Sequence, residues 1–176
     1  MYSSQNAREF PESERVTMDT NVKLVEVTEE NWLEIAALSV REDQKSFLAP
    51  PIGILARGYV YRECNGRVWG IANGEQMVGV ALVRDQNEEP CCYDLQQFMI
   101  DQRFQGQGYG AEALRQILSV LEEEHRFDCV EVCVKNTDIP ALRLYEKIGF
   151  VDTGYIDPDL PEFVNLMYYF GKELCL

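Results

Sequence analysis

The strongest constraint on the fold is a glycine-rich turn that joins a predicted β-strand to a predicted α-helix. The strand pattern over residues 91–100 ends shortly before the sequence Gln-Gly-Gln-Gly-Tyr-Gly at residues 105–110. Apolar residues then recur at helical spacing, namely Ala113, Leu114, Ile117, Leu118 and Leu121. Glycines let the backbone approach a ligand closely, and a helix N-terminus presents free N–H groups to an anion. This strand–turn–helix unit therefore predicts a phosphate or pyrophosphate site.

Two common phosphate-binding loops do not match this segment. A Walker loop needs a Lys followed by Ser or Thr after its last glycine, and residues 105–112 contain none of these. The dinucleotide fingerprint is G-x-G-x-x-G in the first βα unit, whereas this loop has G-x-G-x-G and follows several predicted strands. The loop geometry alone leaves one alternative open, a plain turn that needs glycine only for its backbone conformation.

The remaining pattern predicts a mobile polar tail at residues 1–21 and one α/β domain over residues 22–171. Strands are predicted at residues 22–27, 68–72, 77–83, 91–100, 130–134, 150–156 and 163–170, with Asn73-Gly74 as a hairpin turn. Helices are predicted after an N-cap at Thr28, over residues 52–61, after the glycine loop, and from Thr137 or Asp138 to Gly149. The predicted order is β-α-α-β-β-β-α-β-α-β-β.

Charge and composition limit the partners. The formal charge of −14 over 176 residues argues against nucleic-acid binding and would attract cationic substrates, although acidity can also serve solubility alone. No apolar run approaches the roughly 18 to 20 residues of a membrane span, and no secretory signal is evident, so we expect a cytoplasmic protein. With six cysteines but a single histidine, the chain offers few suitable ligands for a zinc site. We therefore expect reduced thiols and no bound metal.

The loop resembles the acetyl-CoA signature Q/R-x-x-G-x-G/A of the GNAT N-acetyltransferases, with Gln105, Gly108 and Gly110 at the signature positions. A second register that starts at Arg103 also fits. We prefer the first register because it places Asp101 at the end of the strand and begins the helix directly after Gly110.

A second GNAT signature, N-x4-A-x-x-L-Y-x-x-x-G-F, is similar to Asn136 followed by residues 141–150. The resemblance implies an α/β (α+β) three-layer fold with a mixed, mostly antiparallel sheet of about seven strands, splayed at the cofactor site. It also implies an acetyl-CoA-dependent N-acetyltransferase that uses no metal and could form a homodimer.

The resemblance also implies which residues contact acetyl-CoA. Backbone groups of β-strand residues Phe98, Met99 and Ile100 would pair with the pantetheine arm, which Asn136 would also contact. The pyrophosphate would be bound by the N–H groups of Gln105, Gly106, Gln107, Gly108, Tyr109, Gly110 and Ala111.

Tyr145 is the candidate general acid, because a phenol is protonated at neutral pH and could return a proton to the leaving thiolate. Periodicity alone favours a core aromatic, since Leu142, Tyr145 and Ile148 share one helix face. The match of Tyr145 to the second signature favours the catalytic role.

Asp94 is the candidate general base. Aspartate is unfavourable inside a strand, which suggests a function, and some GNAT enzymes carry an acidic base near this position. Asp94 could bind a substrate ammonium or accept its proton, directly or through water. The alternatives are an exposed carboxylate without a role and a water chain that serves as the base.

The substrate expectation is a small di- or polyamine, because residues 22–32, 44–50 and 98–101 look similar to bacterial diamine or spermine/spermidine acetyltransferases. Gln96 and Gln97 are neutral where some polyamine acetyltransferases have acids, which weakens this assignment. The alternatives are another amine (an antibiotic, an amino acid or a protein N-terminus) and a non-catalytic acyl-CoA-binding module.

Overall fold

Helices cover both faces of a seven-stranded sheet in the computed structural model, which describes residues 21–171. The strands are β1 (Val22–Glu26), β2 (Arg67–Asn73), β3 (Gln76–Gln86), β4 (Cys92–Ile100), β5 (Cys129–Lys135), β6 (Val151–Asp152) and β7 (Phe163–Tyr169). The α-helices are α1 (Trp32–Ala36), α2 (Pro51–Val60), α3 (Tyr109–Glu124) and α4 (Ile139–Ile148). The predicted order of elements is confirmed. The predicted tail lies outside the described residues, except for Asn21.

The sheet is mixed and mostly antiparallel, as the resemblance implied. Its strand order is β1-β2-β3-β4-β5-β7-β6, and only the β4–β5 pair is parallel. The apolar side of α3, including Leu114, Ile117 and Leu121, is buried in the core on one face. Ile35 of α1 and Ile54 of α2 are buried in a second core on the other face. The two cores give the three layers of the predicted fold.

The strands β4 and β5 separate along most of their length, which confirms the predicted splay. They pair only at Tyr93 with Val130 and at Asp94 with Glu131. Beyond these two pairs β4 stays paired with β3 and β5 with β7, so a gap opens between the central strands toward their C-terminal ends. The glycine loop follows the open end of this gap.

A β-bulge in β4 changes which layer its side chains reach. Two consecutive residues of β3 face Leu95 and Gln97, so Gln96 is the extra residue. Leu95 before the bulge and Phe98 after it pack into the same core with α3, although they are an odd number of positions apart. Met99 belongs to the core of α1 and α2.

Several predicted boundaries are wrong by a few residues. Helix α1 begins at Trp32 rather than after Thr28, because the Asn31 side chain accepts a hydrogen bond from the Thr28 N–H (2.8 Å) and donates to the Glu26 carbonyl (2.8 Å), forming a turn first. The hairpin turn is centred on Gly74 and the residue after it, since Asn73 remains paired in the ladder.

The last two boundary changes lie near glycines with positive φ. Helix α3 begins at Tyr109 with Gly108 as its N-cap, so its start precedes Gly110. Strand β6 has two residues rather than seven, because the backbone turns at Gly154, where φ is 69°. No helix within residues 21–171 is long and apolar enough to cross a membrane.

Candidate active site

The glycine loop has the geometry of an open anion cradle. Gly106 and Gly108 have φ angles of 77° and 86°, a region that strongly favours glycine. A β-carbon placed on either residue would meet no heavy atom within 4 Å, so the space above the loop is free. Gly108 is also the N-cap of α3, whose first N–H groups lack intrahelical partners. The residues present therefore fit a bound diphosphate.

A cavity of about 590 Å³ covers this loop. Its walls are the end of β4, the loop, one side of α4 and the segment between α1 and α2. Of the residues predicted to contact the cofactor, the lining includes Phe98, Met99, Ile100, Gln105, Gly106, Gly108, Gly110 and Ala111. A second cavity of about 640 Å³ lies beside α1, α2 and β2, and no predicted site residue lines it.

Three predicted cofactor residues are not part of this lining. The Gln107 side chain donates to the Arg103 carbonyl (3.1 Å), and the Tyr109 hydroxyl accepts a hydrogen bond from the Asn73 amide (3.1 Å). Asn136 is exposed just after β5, where its N–H donates to the Glu162 carbonyl (2.8 Å). The backbone groups of Gln107 and Tyr109 still belong to the loop.

Tyr145 lies on α4 and lines the cavity while it is also part of the core. Only 4% of the residue is exposed, and its ring packs edge-on against Phe150 with 5.2 Å between centroids. Burial raises the pKa of the Tyr145 phenol well above its usual value, and the charge of Asp138 raises it further. The hydroxyl is therefore protonated at neutral pH. The structure thus places Tyr145 in the core, as periodicity favours, and also in the wall of the cavity beside the loop, while its catalytic role stays a prediction.

Asp94 lies outside the cavity lining, at the closed end of the gap. Its Oδ2 accepts a hydrogen bond from Arg84 Nε at 2.7 Å, and its side chain is 15% exposed. Burial raises the pKa of the Asp94 carboxyl, although Arg84 acts in the opposite direction. Asp94 therefore keeps its proton to a higher pH than an ordinary aspartate.

Glu131 is a second carboxylate at this point that the sequence analysis missed. It faces Asp94 across the last β4–β5 pair. Burial raises the pKa of Glu131, and the charge of Asp94 raises it further. The available signal was the same as for Asp94, since Glu131 interrupts an otherwise apolar strand.

Asp101 fixes the glycine loop to the segment between α1 and α2. Its fully buried carboxylate accepts hydrogen bonds from the Ser39 N–H (2.8 Å), the Arg103 N–H (2.9 Å) and Arg103 Nε (2.8 Å). Burial alone would raise the pKa of Asp101, but these hydrogen bonds lower it overall. Asp101 therefore stays ionised and holds both segments. Within residues 21–171, no group of three or more His, Cys, Asp or Glu residues could hold a metal ion.

Comparison with known sequences gives a family match over most of the domain. The sequence model of the Acetyltransferase (GNAT) family matches residues 31–150. The chain is 27% identical over 143 residues to the spermine/spermidine N(1)-acetyltransferase of Bacillus subtilis (strain 168), a match that covers 80% of this chain and 93% of the relative.

Solved structures show the same fold. A spermidine N-acetyltransferase from Vibrio cholerae in complex with CoA and spermine superposes with a TM-score of 0.69 at 15% identity, covering 85% of this chain and 95% of that chain. An acetyltransferase from Agrobacterium tumefaciens str. C58 gives a TM-score of 0.68 at 16% identity, covering 93% of this chain and 99% of that chain.

Proposed function

Because this chain belongs to the GNAT acetyltransferase family, we propose that it transfers the acetyl group of acetyl-CoA to a primary amine of a small di- or polyamine. The observation that carries the proposal is the gap between β4 and β5. An anion cradle lies at its open end, and the carboxylates of Asp94 and Glu131 lie at its closed end. The stretch of β4 from Asp94 to Ile100 separates the two ends by about 20 Å.

The cofactor contacts follow from the gap and the loop. The N–H groups of residues 105–111 bind the pyrophosphate, with Gly106 and Gly108 leaving room for it. Phe98, Met99 and Ile100 have no β5 partner in the ladder, so the backbone groups that face the gap are available to the pantetheine amides, apart from the Ile100 carbonyl, which accepts a hydrogen bond from Gln105. Asn136 contacts the pantetheine arm from the end of β5. These residues belong to one domain at residues 22–171.

The chain supplies a proton acceptor and a proton donor on the two sides of the reacting centre. Acetyl-CoA brings an acyl group already activated as a thioester. Asp94 takes the proton of the substrate ammonium, directly or through water, so that the neutral amine attacks the carbonyl directly. Tyr145, which is protonated at neutral pH, gives its proton to the sulfur as the C–S bond breaks, and the proton lost by the newly acylated nitrogen restores the phenol, directly or through water.

Charge supports a cationic substrate. Asp94 and Glu131 are two carboxylates, and Arg84 ion-pairs with the first of them. An ammonium group at the closed end of the gap would compensate the remaining negative charge. The chain as a whole carries −14, which would draw polycations from solution. A relative named for spermine and spermidine is consistent with this substrate class.

Amine selectivity tests the proposal. We expect kcat/KM for spermidine and putrescine to be at least about tenfold higher than for amines of zero or negative net charge, such as alanine and glutamate. A thiol-release assay over this panel, at one salt concentration, measures the difference. Equal rates for all amines, or activity on anionic amines alone, would contradict a polyamine substrate. Binding of acetyl-CoA without turnover of any amine would instead indicate a non-catalytic acyl-CoA-binding module.

The Asp94→Asn variant is expected to lower kcat/KM for spermidine about tenfold at neutral pH, which corresponds to about 1.4 kcal/mol. The loss is smaller than for an isolated general base because Glu131 lies opposite and can assist. Since burial raises the pKa of Asp94, the base is protonated and inactive at low pH, and kcat/KM of the unaltered protein should rise with pH through that pKa.

The pH profile separates this role from a structural one. Asp94→Asn should remove the acid limb assigned to Asp94, while the Kd of acetyl-CoA stays unchanged because Asp94 lies outside the cavity lining. An unaltered profile would identify Asp94 as a partner of Arg84 alone.

A further inference from the structure

A basic side chain outside the two family signatures faces the glycine loop. Arg41 and Lys147 are the basic residues in the cavity lining, and Asp138 is the acidic one. Lys147 lies on α4, whereas Arg41 comes from the segment between α1 and α2. Arg41 and Asp138 line the same cavity, and the charge of Arg41 counteracts the rise that burial causes in the pKa of Asp138. Arg41 therefore adds positive charge on the loop side of the cavity.

The Arg41 guanidinium is tied to the loop by the side chain of Gln105. Arg41 Nη1 donates a hydrogen bond to Gln105 Oε1. The Gln105 amide nitrogen in turn donates to Gln44 Oε1 (2.9 Å) and to the Ile100 carbonyl (2.9 Å) at the end of β4. Gln44 Oε1 also accepts from the Arg41 backbone N–H (3.2 Å). This network holds Arg41 beside the residues that form the anion cradle.

Deeper anchors keep the whole segment in place. The buried Asp101 binds the Ser39 N–H, and the Gln102 N–H donates to the Ser39 carbonyl (2.8 Å). On the far side, the Ala49 N–H donates to Gln97 Oε1 at 2.9 Å. The segment that carries Arg41 is thus attached at both ends, to β4 and to the residues directly after it, and the position of Arg41 does not depend on Gln105 alone.

Much of the Arg41 charge is free to act on a ligand. Gln105 is neutral, and the ion pair of Arg41 with Asp43 (3.3 Å) is solvent-exposed, with side chains 46% and 71% accessible. Solvent-exposed ion pairs of this kind contribute little free energy, because water and salt screen the two charges. Asp138 lines the same cavity, but within residues 21–171 Arg41 forms no ion pair with it. A guanidinium has five N–H donors in a planar fork that suits phosphate oxygens. A helix N-terminus supplies only about half a positive charge, whereas a diphosphate in a chain of charge −14 needs more.

We propose that Arg41 is a second diphosphate ligand of acetyl-CoA, acting from outside the glycine loop. Its guanidinium would bind the diphosphate oxygens from the side opposite to the N–H groups of the α3 N-terminus. The inference rests on the proposed use of acetyl-CoA, but it does not depend on which amine is acetylated.

Calorimetric titration with three ligands tests the assignment without any amine. The ligands are CoA, dephospho-CoA, which lacks the 3′-phosphate, and pantetheine, which lacks all phosphates. We expect Arg41→Ala to weaken the binding of CoA and of dephospho-CoA about tenfold and to leave the affinity for pantetheine unchanged. Arg41→Lys should give an intermediate loss of CoA affinity. Arg115→Ala is the matched control, because Arg115 is an exposed arginine on α3 outside the cavity lining.

Each other outcome overturns the assignment in a recognisable way. Unchanged CoA affinity in Arg41→Ala would show that Arg41 does not bind the ligand. A loss that disappears with dephospho-CoA would place Arg41 at the 3′-phosphate instead. An equal loss with pantetheine, or an equal loss in Arg115→Ala, would indicate a structural or a general electrostatic effect. If Arg41→Ala does not fold, Arg41→Gln replaces it in the same titrations.

The same experiment separates this inference from the proposed function. Failure of the unaltered protein to bind CoA would contradict both the proposed acetyltransferase function and the role of Arg41. Binding of CoA by the unaltered protein with equal affinity in all variants would remove only the role of Arg41.

Discussion

The Tyr145→Phe variant should lose about 100-fold in kcat while it binds acetyl-CoA with unchanged affinity. The substitution removes only the hydroxyl, and the ring can keep its edge-on contact with Phe150. Because burial raises the pKa of Tyr145, the phenol remains a proton donor over the whole physiological range, and its loss forces the sulfur to leave without a positioned donor. Steady-state kinetics with spermidine and calorimetry with acetyl-CoA measure the two quantities.

Tyr168→Phe is the control for Tyr145→Phe. Tyr168 also packs against Phe150, with 5.4 Å between ring centroids, but it lies on β7 and does not line the cavity. We expect the kcat of Tyr168→Phe to stay within a factor of about two of that of the unaltered protein, which corresponds to well below 1.4 kcal/mol. If Tyr145→Phe has the same small effect, Tyr145 is a core aromatic and water supplies the proton.

Gly108→Ala should weaken acetyl-CoA binding by about 100-fold or more. The new methyl group would occupy the free space above the loop, next to the N–H groups that bind the diphosphate. A hydrogen bond to a charged group contributes about 1.5 to 3 kcal/mol, so the loss of one or two such bonds accounts for this factor. Isothermal calorimetry gives the change in Kd directly.

Backbone strain must be separated from loss of the site, and Gly74 allows this. Like Gly108, Gly74 has a positive φ, of 63°, and a β-carbon added there would meet no heavy atom within 4 Å, but it lies in the β2–β3 turn. Both alanine variants should lose about 1 kcal/mol of unfolding free energy, because an L-residue is strained in this conformation. Only Gly108→Ala should lose acetyl-CoA affinity. Equal affinity in both variants would show that the loop is a turn without a ligand.

The order of helices and strands along the chain could be predicted from periodic patterns, and the mixed, splayed sheet from the resemblance that the two signatures carry. The α3 stripe of Leu114, Ile117 and Leu121 was visible in the sequence and is buried as expected. Boundaries were less accurate where a side chain competes for the backbone, as Asn31 does before α1. Such competition depends on which hydrogen bond is more favourable locally, and periodicity does not contain that information.

Within the candidate site, the sequence predicts the loop, Tyr145 and Asp94, but it does not predict contacts between segments that are distant in sequence. The loop and Tyr145 fall inside the two signatures, whereas Glu131 reaches Asp94 through the parallel pairing of β4 with β5. The bulge at Gln96 depends on register between strands, which no single strand encodes. Arg41 reaches the loop through hydrogen bonds from distant residues, and its polar segment carried no recognisable pattern.

The separation of β4 from β5 divides the sheet into two smaller sheets, β1–β4 and β5–β7–β6, that share only two residue pairs. Amide hydrogens along the inner edges lack ladder partners, so the junction between these halves is where partial unfolding should begin. A ligand that bridges the gap joins the halves like an additional strand. At about 100 times its Kd such a ligand adds about 2.7 kcal/mol to stability. If acetyl-CoA is that ligand, as proposed, resistance of the folded chain to proteases should rise with the acetyl-CoA concentration.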